Sequence, residues 1–261
     1  MEVPVVGIDV GSLSTEVVVL EEGEVVYSWV EVSADDADTG ARKALEAYLR
    51  QAGLSIDQLG PVGSTGVGRR DLSFAQVRKT VPSCLAKGIH KIFPTVRTVI
   101  DIGAETSHVV KVNAKGNPED SVVHDKCGAG TGTFLEAIAK VLHMSLDGMA
   151  ERALAATTKA EIGNTCAVFI EQEVISLLHQ NPPTPVEEII AGVFAAMAVR
   201  VMGMVRMVEL NPDVAFCGGV AKNAGLVRAL EAELGVKLFI PENPQLVAAL
   251  GAALWAGERK N

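Results

Sequence analysis

The chain has 261 residues, of which 48% are hydrophobic and 21% charged, with a formal net charge of −9. That is enough apolar material for one large domain or two modest ones, and the dispersed acidic balance argues against nucleic acid as the main partner. No run reaches the roughly eighteen uncharged apolar residues that span a bilayer, no basic leader precedes the first strand, and the four cysteines are too unevenly spaced for a disulfide framework. A cytoplasmic protein without membrane association is expected.

In chain order, the valine-rich runs Val5–Val10, Thr15–Leu20 and Val25–Val32, separated by Gly11-Ser12 and Glu22-Gly23, predict three strands. Apolar spacing at Ala41, Ala44, Leu45, Tyr48 and Leu49 predicts a helix. Val62–Thr65 reads as a strand ending in Gly66-Val67-Gly68-Arg69, and a short helical piece covers Leu85–Ile92. The pattern then restarts with strands at Val96–Ile102 and Ser107–Val112, a turn at Lys115-Gly116-Asn117, and a strand at Ser121–His124. Helices come next at Thr133–His143, Ala167–Leu178 and Val186–Leu210, where Met197, Met202, Met204 and Met207 read as adaptable core packing. A strand Val214–Cys217, a helix Ala221–Leu234, a strand Val236–Ile240 and a helix Pro244–Ala256 complete the chain.

The restart is an internal echo. Ile8-Asp9-Val10-Gly11 before one valine strand matches Ile100-Asp101-Ile102-Gly103 before another, which implies two similar domains with a boundary near Phe93-Pro94-Thr95. At each strand end a tight turn lets backbone N–H groups approach a phosphate, through Gly11, Ser12, Leu13 and Ser14 in the first and Gly103 and Ala104 in the second. Asp9 and Asp101 are the expected catalytic carboxylates, facing one Mg²⁺ through water because Mg²⁺ keeps much of its hydration shell. Phe216-Cys217-Gly218-Gly219-Val220-Ala221-Lys222-Asn223 runs from a strand through paired glycines to a helix start, which suits a flat adenosine and its ribose.

Cys127, inside Lys126-Cys127-Gly128-Ala129-Gly130-Thr131-Gly132, and Cys166, after Asn164-Thr165, each directly precede a predicted helix. Unpaired N–H groups and the helix dipole at such a start favour an anionic ligand and ease thiolate formation. An iron–sulfur cluster usually takes four thiolates, so two such positions per chain point to one cluster shared across a homodimer. Against this, most intracellular cysteines are small buried hydrophobes, and this spacing is no metal motif on its own. Cys84, without a glycine-rich setting, and Cys217, within an apolar strand, read as structural. His90, His108, His124, His143 and His179 show no metal-ligand spacing, and Gly128–Gly132 lacks the Gly-Lys-Ser/Thr ending of a Walker loop.

The segments around Asp9, Asp101 and Gly218 resemble the phosphate-1, phosphate-2 and adenosine motifs of the acetate and sugar kinase, heat-shock chaperone and actin superfamily. Within it, Asp125–Gly132 and Asn164-Thr165-Cys166-Ala167-Val168-Phe169 resemble the BadF/BadG/BcrA/BcrD ATPases, in particular the activators of 2-hydroxyacyl-CoA dehydratases. The resemblance runs end to end, through Thr65-Gly66-Val67-Gly68-Arg69, Ala86-Lys87-Gly88 and Pro244-Gln245-x-x-Ala248-x-x-Gly251-Ala252-Ala253. It implies an α/β fold of two ribonuclease-H-like (actin-like ATPase) domains with the nucleotide in the cleft between them. The first would be residues 1–94 joined by the C-terminal helix 244–261, the second residues 95–243. It also implies a homodimer with one 4Fe–4S cluster at the subunit interface, held by Cys127 and Cys166 of each subunit, with one MgATP or ADP per subunit and Gln245 in the nucleotide set.

Two motifs depart from the family pattern. Glu16 stands where the first commonly ends in lysine, and Gly103-Ala104-Glu105-Thr106-Ser107-His108 replaces Gly-Gly-Gln-Asp-Ser-Lys in the second. Glu105 would bring a carboxylate near a γ-phosphate, as base or Mg²⁺ ligand, or simply face solvent. The expected function is an ATP-driven one-electron reductase, or activator, of a client iron–sulfur enzyme: a 2-hydroxyacyl-CoA dehydratase or related reductase. Ferredoxin or flavodoxin would be the donor, and closure around ATP would reorient the helices that begin at the cysteines. The alternative is a small-molecule, sugar-type kinase of the same superfamily, which would need a substrate-binding insertion and would leave both cysteines idle. A non-enzymatic ATP-gated scaffold would need a peptide-binding domain or polymer contacts, and the sequence has neither.

Overall fold

Two five-stranded sheets are built on one strand plan. The computed structural model describes residues 3–34, 36–125, 130–164 and 166–260. Strands β1 (Val5–Val10), β2 (Ser14–Glu21), β3 (Glu24–Val32), β4 (Val62–Gly66) and β5 (Val77–Arg78) form a sheet in the order β3-β2-β1-β4-β5. Strands β6 (Thr98–Ile102), β7 (Ser107–Val112), β8 (Pro118–His124), β9 (Val214–Cys217) and β10 (Leu238–Phe239) form the other in the order β10-β9-β6-β7-β8. In each sheet the first strand runs antiparallel to the second and parallel to the fourth. The echo of Asp9-x-Gly11 and Asp101-x-Gly103 therefore extends to a whole sheet topology, that of two ribonuclease-H-like α/β halves.

The helices are α1 (Ala37–Ala52), α2 (Val81–Ile92), α3 (Gly132–Val141), α4 (Leu146–Ala155), α5 (Ala167–His179), α6 (Val186–Val208), α7 (Ala224–Leu234) and α8 (Val247–Gly257). The chain divides into one unit of Met1–Val96, Val112–Glu119 and Pro241–Asn261, and another of Arg97–Lys111 and Asp120–Ile240.

In the first unit the period-two alternation of β2 sends its valines to opposite faces. Val17 and Val19 pack with Ile8 and with Ala41, Leu45 and Tyr48 of α1. Val18 and Leu20 pack with Ala249, Ala253 and Ala256 of α8. Helix α8 lies almost on the backbone of β1, because a Cβ on Gly7 would overlap the Ala249 carbonyl. The side chain of Asp36 accepts the Thr39 N–H to start α1, and Gly53, at φ 66°, closes it.

In the second unit Ile100, Ile102, Val109 and Phe216 of the sheet share one core with Leu135, Ile138, Met149, Phe194, Met197 and Leu226 from α3, α4, α6 and α7. By length and composition α6 could cross a bilayer, but most of its apolar stretch is buried here as a core helix.

Several elements differ from expectation. Strand β8 begins at Pro118, ahead of the predicted Ser121, and the strand predicted at Val236–Ile240 shrinks to Leu238–Phe239. The long helix stops at Val208, because Glu209 takes φ 64°. A 3₁₀ turn, Pro244–Leu246, precedes the final α-helix. Helix α4 is absent from the sequence-based expectation: Ser145 caps it through the N–H of Gly148, a glycine in the first turn that weakens the helical pattern.

Candidate nucleotide and cluster site

Both phosphate turns close with the same bond. The Gly11 N–H donates to the Ser14 carbonyl at 2.9 Å, and the Gly103 N–H to the Thr106 carbonyl at 2.9 Å. Ser33, just past the end of β3, braces the first turn: its Oγ donates to the Gly11 carbonyl at 2.9 Å and its N–H to the Leu13 carbonyl at 3.0 Å. Asp9, half-buried, points at Gly66, where φ is +88° and a Cβ would overlap both the Val10 carbonyl and Asp9 Oδ1. The Gly68 N–H donates to the Val10 carbonyl at 3.1 Å, and Arg69 Nη1 to the Gly66 carbonyl at 2.8 Å. The segment Thr65–Arg69 thus cradles the first turn. Ser33, Gly66 and Arg69 are not among the predicted site residues; the sequence marks Gly66 and Arg69 only through the segment Thr65–Arg69 that carries the family resemblance, and it does not mark Ser33.

Glu16 is directly opposite Asp9 in the β1–β2 ladder and only 4% exposed. Ser14 Oγ donates to Glu16 Oε1 at 2.5 Å, and Gln245 Nε2 donates to the same oxygen at 2.7 Å and to Ser14 Oγ at 3.2 Å. Where a lysine would donate, this chain has an acceptor, and it orders two predicted nucleotide ligands around itself. Ser12 and Leu13, at the tip of the turn, are exposed.

The second turn repeats the arrangement with different chemistry. Asp101, half-buried, is opposite His108 on β7. Burial pushes the His108 imidazole down to about 4, against the pull of Asp125. Its Nδ1 has no hydrogen-bond partner among the described residues. Glu105 is exposed at the turn. On the other side of β6, Asp101 is in register with Cys217 of β9, whose fully buried thiol is pushed well up by desolvation and then by the Asp101 charge. Gly218, at φ +84°, lies against the Ile102 backbone, which brings the adenosine motif beside the second turn. Gly219 and Lys222, both exposed, open and close the 3₁₀ turn Gly219–Lys222 that leads to α7. The Asn223 side chain is engaged structurally: its Oδ1 accepts the Leu226 N–H at 3.0 Å and its Nδ2 donates to the Leu146 carbonyl at 3.2 Å.

Cys166 is the N-cap of α5, in extended backbone and half-exposed. Cys127 lies outside the described residues, with Lys126, Gly128, Ala129 and Thr165. From Gly130 onward the start of α3 is tied to the second phosphate turn. The N–H groups of Gly132 and Thr133, first in α3, donate to the carbonyls of Gly103 and Ala104 at 2.9 Å each, and Ser107 Oγ donates to the Gly130 carbonyl at 2.7 Å. The expectation that N–H groups at this helix start are free for an anion is therefore corrected at Gly132 and Thr133, which the phosphate turn already uses. Helices α3 and α5 pack against each other. Cys84 is buried in α2, and desolvation pushes its thiol up to about 12. Among the described residues no three or more His, Cys, Asp or Glu gather as a metal site.

The model of the BadF/BadG/BcrA/BcrD ATPase family matches residues 6–256. The chain belongs to this ATPase family. An activator of lactoyl-CoA dehydratase from Anaerotignum propionicum is 41% identical over 252 residues, covering 97% of this chain and 96% of that protein. Among solved structures, the activator of 2-hydroxyisocaproyl-CoA dehydratase from Clostridium difficile, with bound ADPNP, superposes with a TM-score of 0.91 at 35% identity, covering 98% of this chain and 95% of that one. Component A of (R)-2-hydroxyglutaryl-CoA dehydratase from Acidaminococcus fermentans gives a TM-score of 0.92 at 35% identity over 99% of both chains. Each half of this ATPase carries one of the two duplicated turns, with a carboxylate on its central strand.

Proposed function

We propose that this ATPase activates a client 2-hydroxyacyl-CoA dehydratase or related reductase by delivering single electrons at the expense of ATP. Relatives of 35–41% identity over nearly the whole chain are named as activators or components of such dehydratases, which supports the activator role. The observation that carries the coupling is the set of three hydrogen bonds that joins Gly103, Ala104 and Ser107 to Gly132, Thr133 and Gly130. Through it, a change at the second phosphate turn reaches the start of α3, close in the chain to Cys127.

In this reading Asp9 and Asp101 serve one MgATP through water, the turns Gly11–Ser14 and Gly103–Ala104 receive its phosphates, and Gly218, Gly219 and Lys222 receive the adenosine. The residues fit an iron–sulfur cluster as far as they are described: Cys166 is a free, half-exposed thiol at a helix N-cap. When bound, a 4Fe–4S cluster would take one electron from a donor such as ferredoxin or flavodoxin and pass it to the client. Beside Cys166, Val168 and Phe169 are 59% and 60% exposed, an apolar surface that a second copy of the chain would cover in a homodimer.

Anaerobically purified protein tests this. It should be a coloured dimer with about two irons per chain. Cys127→Ser or Cys166→Ser should abolish the colour, and Cys84→Ser should keep it. Four irons per monomer, or colourless protein that phosphorylates a sugar, would defeat the reading.

A further inference from the structure

The segment Thr65–Arg69 brings a guanidinium beside the first phosphate turn. Three bonds fix it there: the Gly68 N–H donates to the Val10 carbonyl at 3.1 Å, Ser64 Oγ to the Arg69 carbonyl at 2.9 Å, and Arg69 Nη1 to the Gly66 carbonyl at 2.8 Å. Val10 directly precedes Gly11, and Gly66 is the residue whose missing Cβ leaves room for Asp9 Oδ1. Arg69 is half-buried, and only Nη1 of its fork is engaged. Among the described residues its side chain makes no ion pair and no other hydrogen bond.

The strands here carry negative charge. Asp9 and Glu16 set two carboxylates across one ladder pair, at a place where the family commonly has a lysine in the position of Glu16. Lys79, a second cation on this flank, is engaged elsewhere: its Nζ stands 4.4 Å from the centre of the Trp255 ring. Cys84 in α2 is pushed up first by desolvation and then by the Asp9 charge, while the Thr65 hydroxyl, Lys79 and Arg69 pull it down. One buried thiol thus feels Asp9 and Arg69 together, so the carboxylate and the guanidinium share one neighbourhood. A guanidinium suits a phosphate, because its planar fork presents parallel N–H donors to two oxygens of one group.

We propose that Arg69 is a nucleotide-binding residue: the side of its fork formed by Nε and Nη2 takes a pair of phosphate oxygens beside Asp9 and offsets the Glu16 carboxylate. This rests on the proposed reading in which the turn Gly11–Ser14 receives the phosphates. Binding, not turnover, tests it. Calorimetric titration with Mg²⁺ present compares ADPNP with adenosine on wild-type protein, Arg69→Gln, Arg69→Lys and Gly11→Ala. Arg69→Gln should weaken ADPNP by about tenfold, the order of one charge-assisted contact, and leave adenosine unchanged. Arg69→Lys keeps a charge without the fork, so it should lose part of that affinity, again without touching adenosine. Gly11→Ala places a Cβ 2.7 Å from the Ser14 carbonyl oxygen and should weaken ADPNP by distorting the turn itself.

Wild-type ADPNP affinity in Arg69→Gln would overturn the proposal. So would an equal loss of ADPNP and adenosine, which would make the arginine a staple of Gly66 alone. Should that variant not fold, a wild-type ratio of the two affinities in Arg69→Lys would overturn it instead. A loss of ADPNP in Gly11→Ala but in neither arginine variant would sink the role of Arg69 and leave the phosphate reading of the turn standing. Indifference in all three variants would sink that reading as well.

Discussion

Glu16 stands directly across the β1–β2 ladder from Asp9, so two carboxylates share one face of the sheet at the end that carries the first phosphate turn. The matching position of the second sheet holds His108 opposite Asp101. Neither turn has the lysine common in the family, and burial keeps His108 neutral at pH 7. Under the proposed function, the positive charge that the phosphates need would come from Mg²⁺ and not from these two positions.

Glu16→Gln should therefore loosen the dependence on metal. The amide keeps an oxygen for Ser14 and Gln245 but removes one negative charge beside the phosphates. Removing a like charge at this range should tighten ADP binding in excess chelator by about tenfold. Calorimetric titration with and without Mg²⁺ checks it, and an unchanged affinity in chelator would mean that the charge is not felt by the phosphates.

Asp9→Asn and Asp101→Asn should each reduce ATP hydrolysis by roughly a hundredfold, as when a preorganised electrostatic contact is lost. Steady-state phosphate release measures this. Near-normal turnover in both would put the Mg²⁺ elsewhere.

Gly66→Ala tests the cradle. At φ +88° a Cβ is strained and would overlap Asp9 Oδ1 and the Val10 carbonyl, so a loss of about 1–3 kcal/mol is expected, together with weaker hydrolysis. Chemical denaturation gives the first and turnover the second. Unchanged hydrolysis in a folded variant would show that Gly66 shapes the strand without aligning Asp9.

The sequence makes legible what repeats locally. Asp-x-Gly after a valine strand, twice, is a short-range pattern, and it leads to both turns and to the duplicated topology. The bond from Gln245 to Glu16 joins positions 229 apart, so no window along the chain could reveal that a glutamate organises the first turn. The same holds for Arg200, one of two arginines in an apolar helix, whose Nη2 donates to the Asn164 carbonyl in the loop before Cys166. Helix α4 hides behind Gly148, and β5, only two residues long, shows no alternation to read.

His108 makes an acid limb in the stability curve. Its folded value of about 4 lies below its ordinary 6.5, so the unfolded chain binds the proton first as pH falls. Stability is full above about pH 6.5 and is lost progressively toward pH 4, by up to about 3 kcal/mol from this group. Asp125 opposes the shift, and Asp101 is its cross-strand neighbour, so the comparison needs a variant that leaves both in place. His108→Gln should flatten that limb in denaturant titrations from pH 7 to 4. An unchanged slope would mean that other groups govern acid unfolding.

The bond from Ser107 to Gly130 offers a way to separate hydrolysis from electron delivery. Ser107 is buried on β7, directly after the turn, and its hydroxyl is one of the three links that tie this turn to the start of α3. Ser107→Ala removes a buried donor and leaves the Gly130 carbonyl short of a partner, which costs about 1–3 kcal/mol of local order. Neither Asp9 nor Asp101 is altered, so ATP hydrolysis should stay near wild type. If the link transmits the nucleotide state, fewer electrons should reach the client for each ATP consumed. Phosphate release and client reduction, followed in the same anaerobic mixture, give that ratio. A ratio equal to wild type would place the coupling in the Gly103 and Ala104 carbonyls alone; a parallel fall in hydrolysis and delivery would mean that Ser107 supports the turn and transmits nothing.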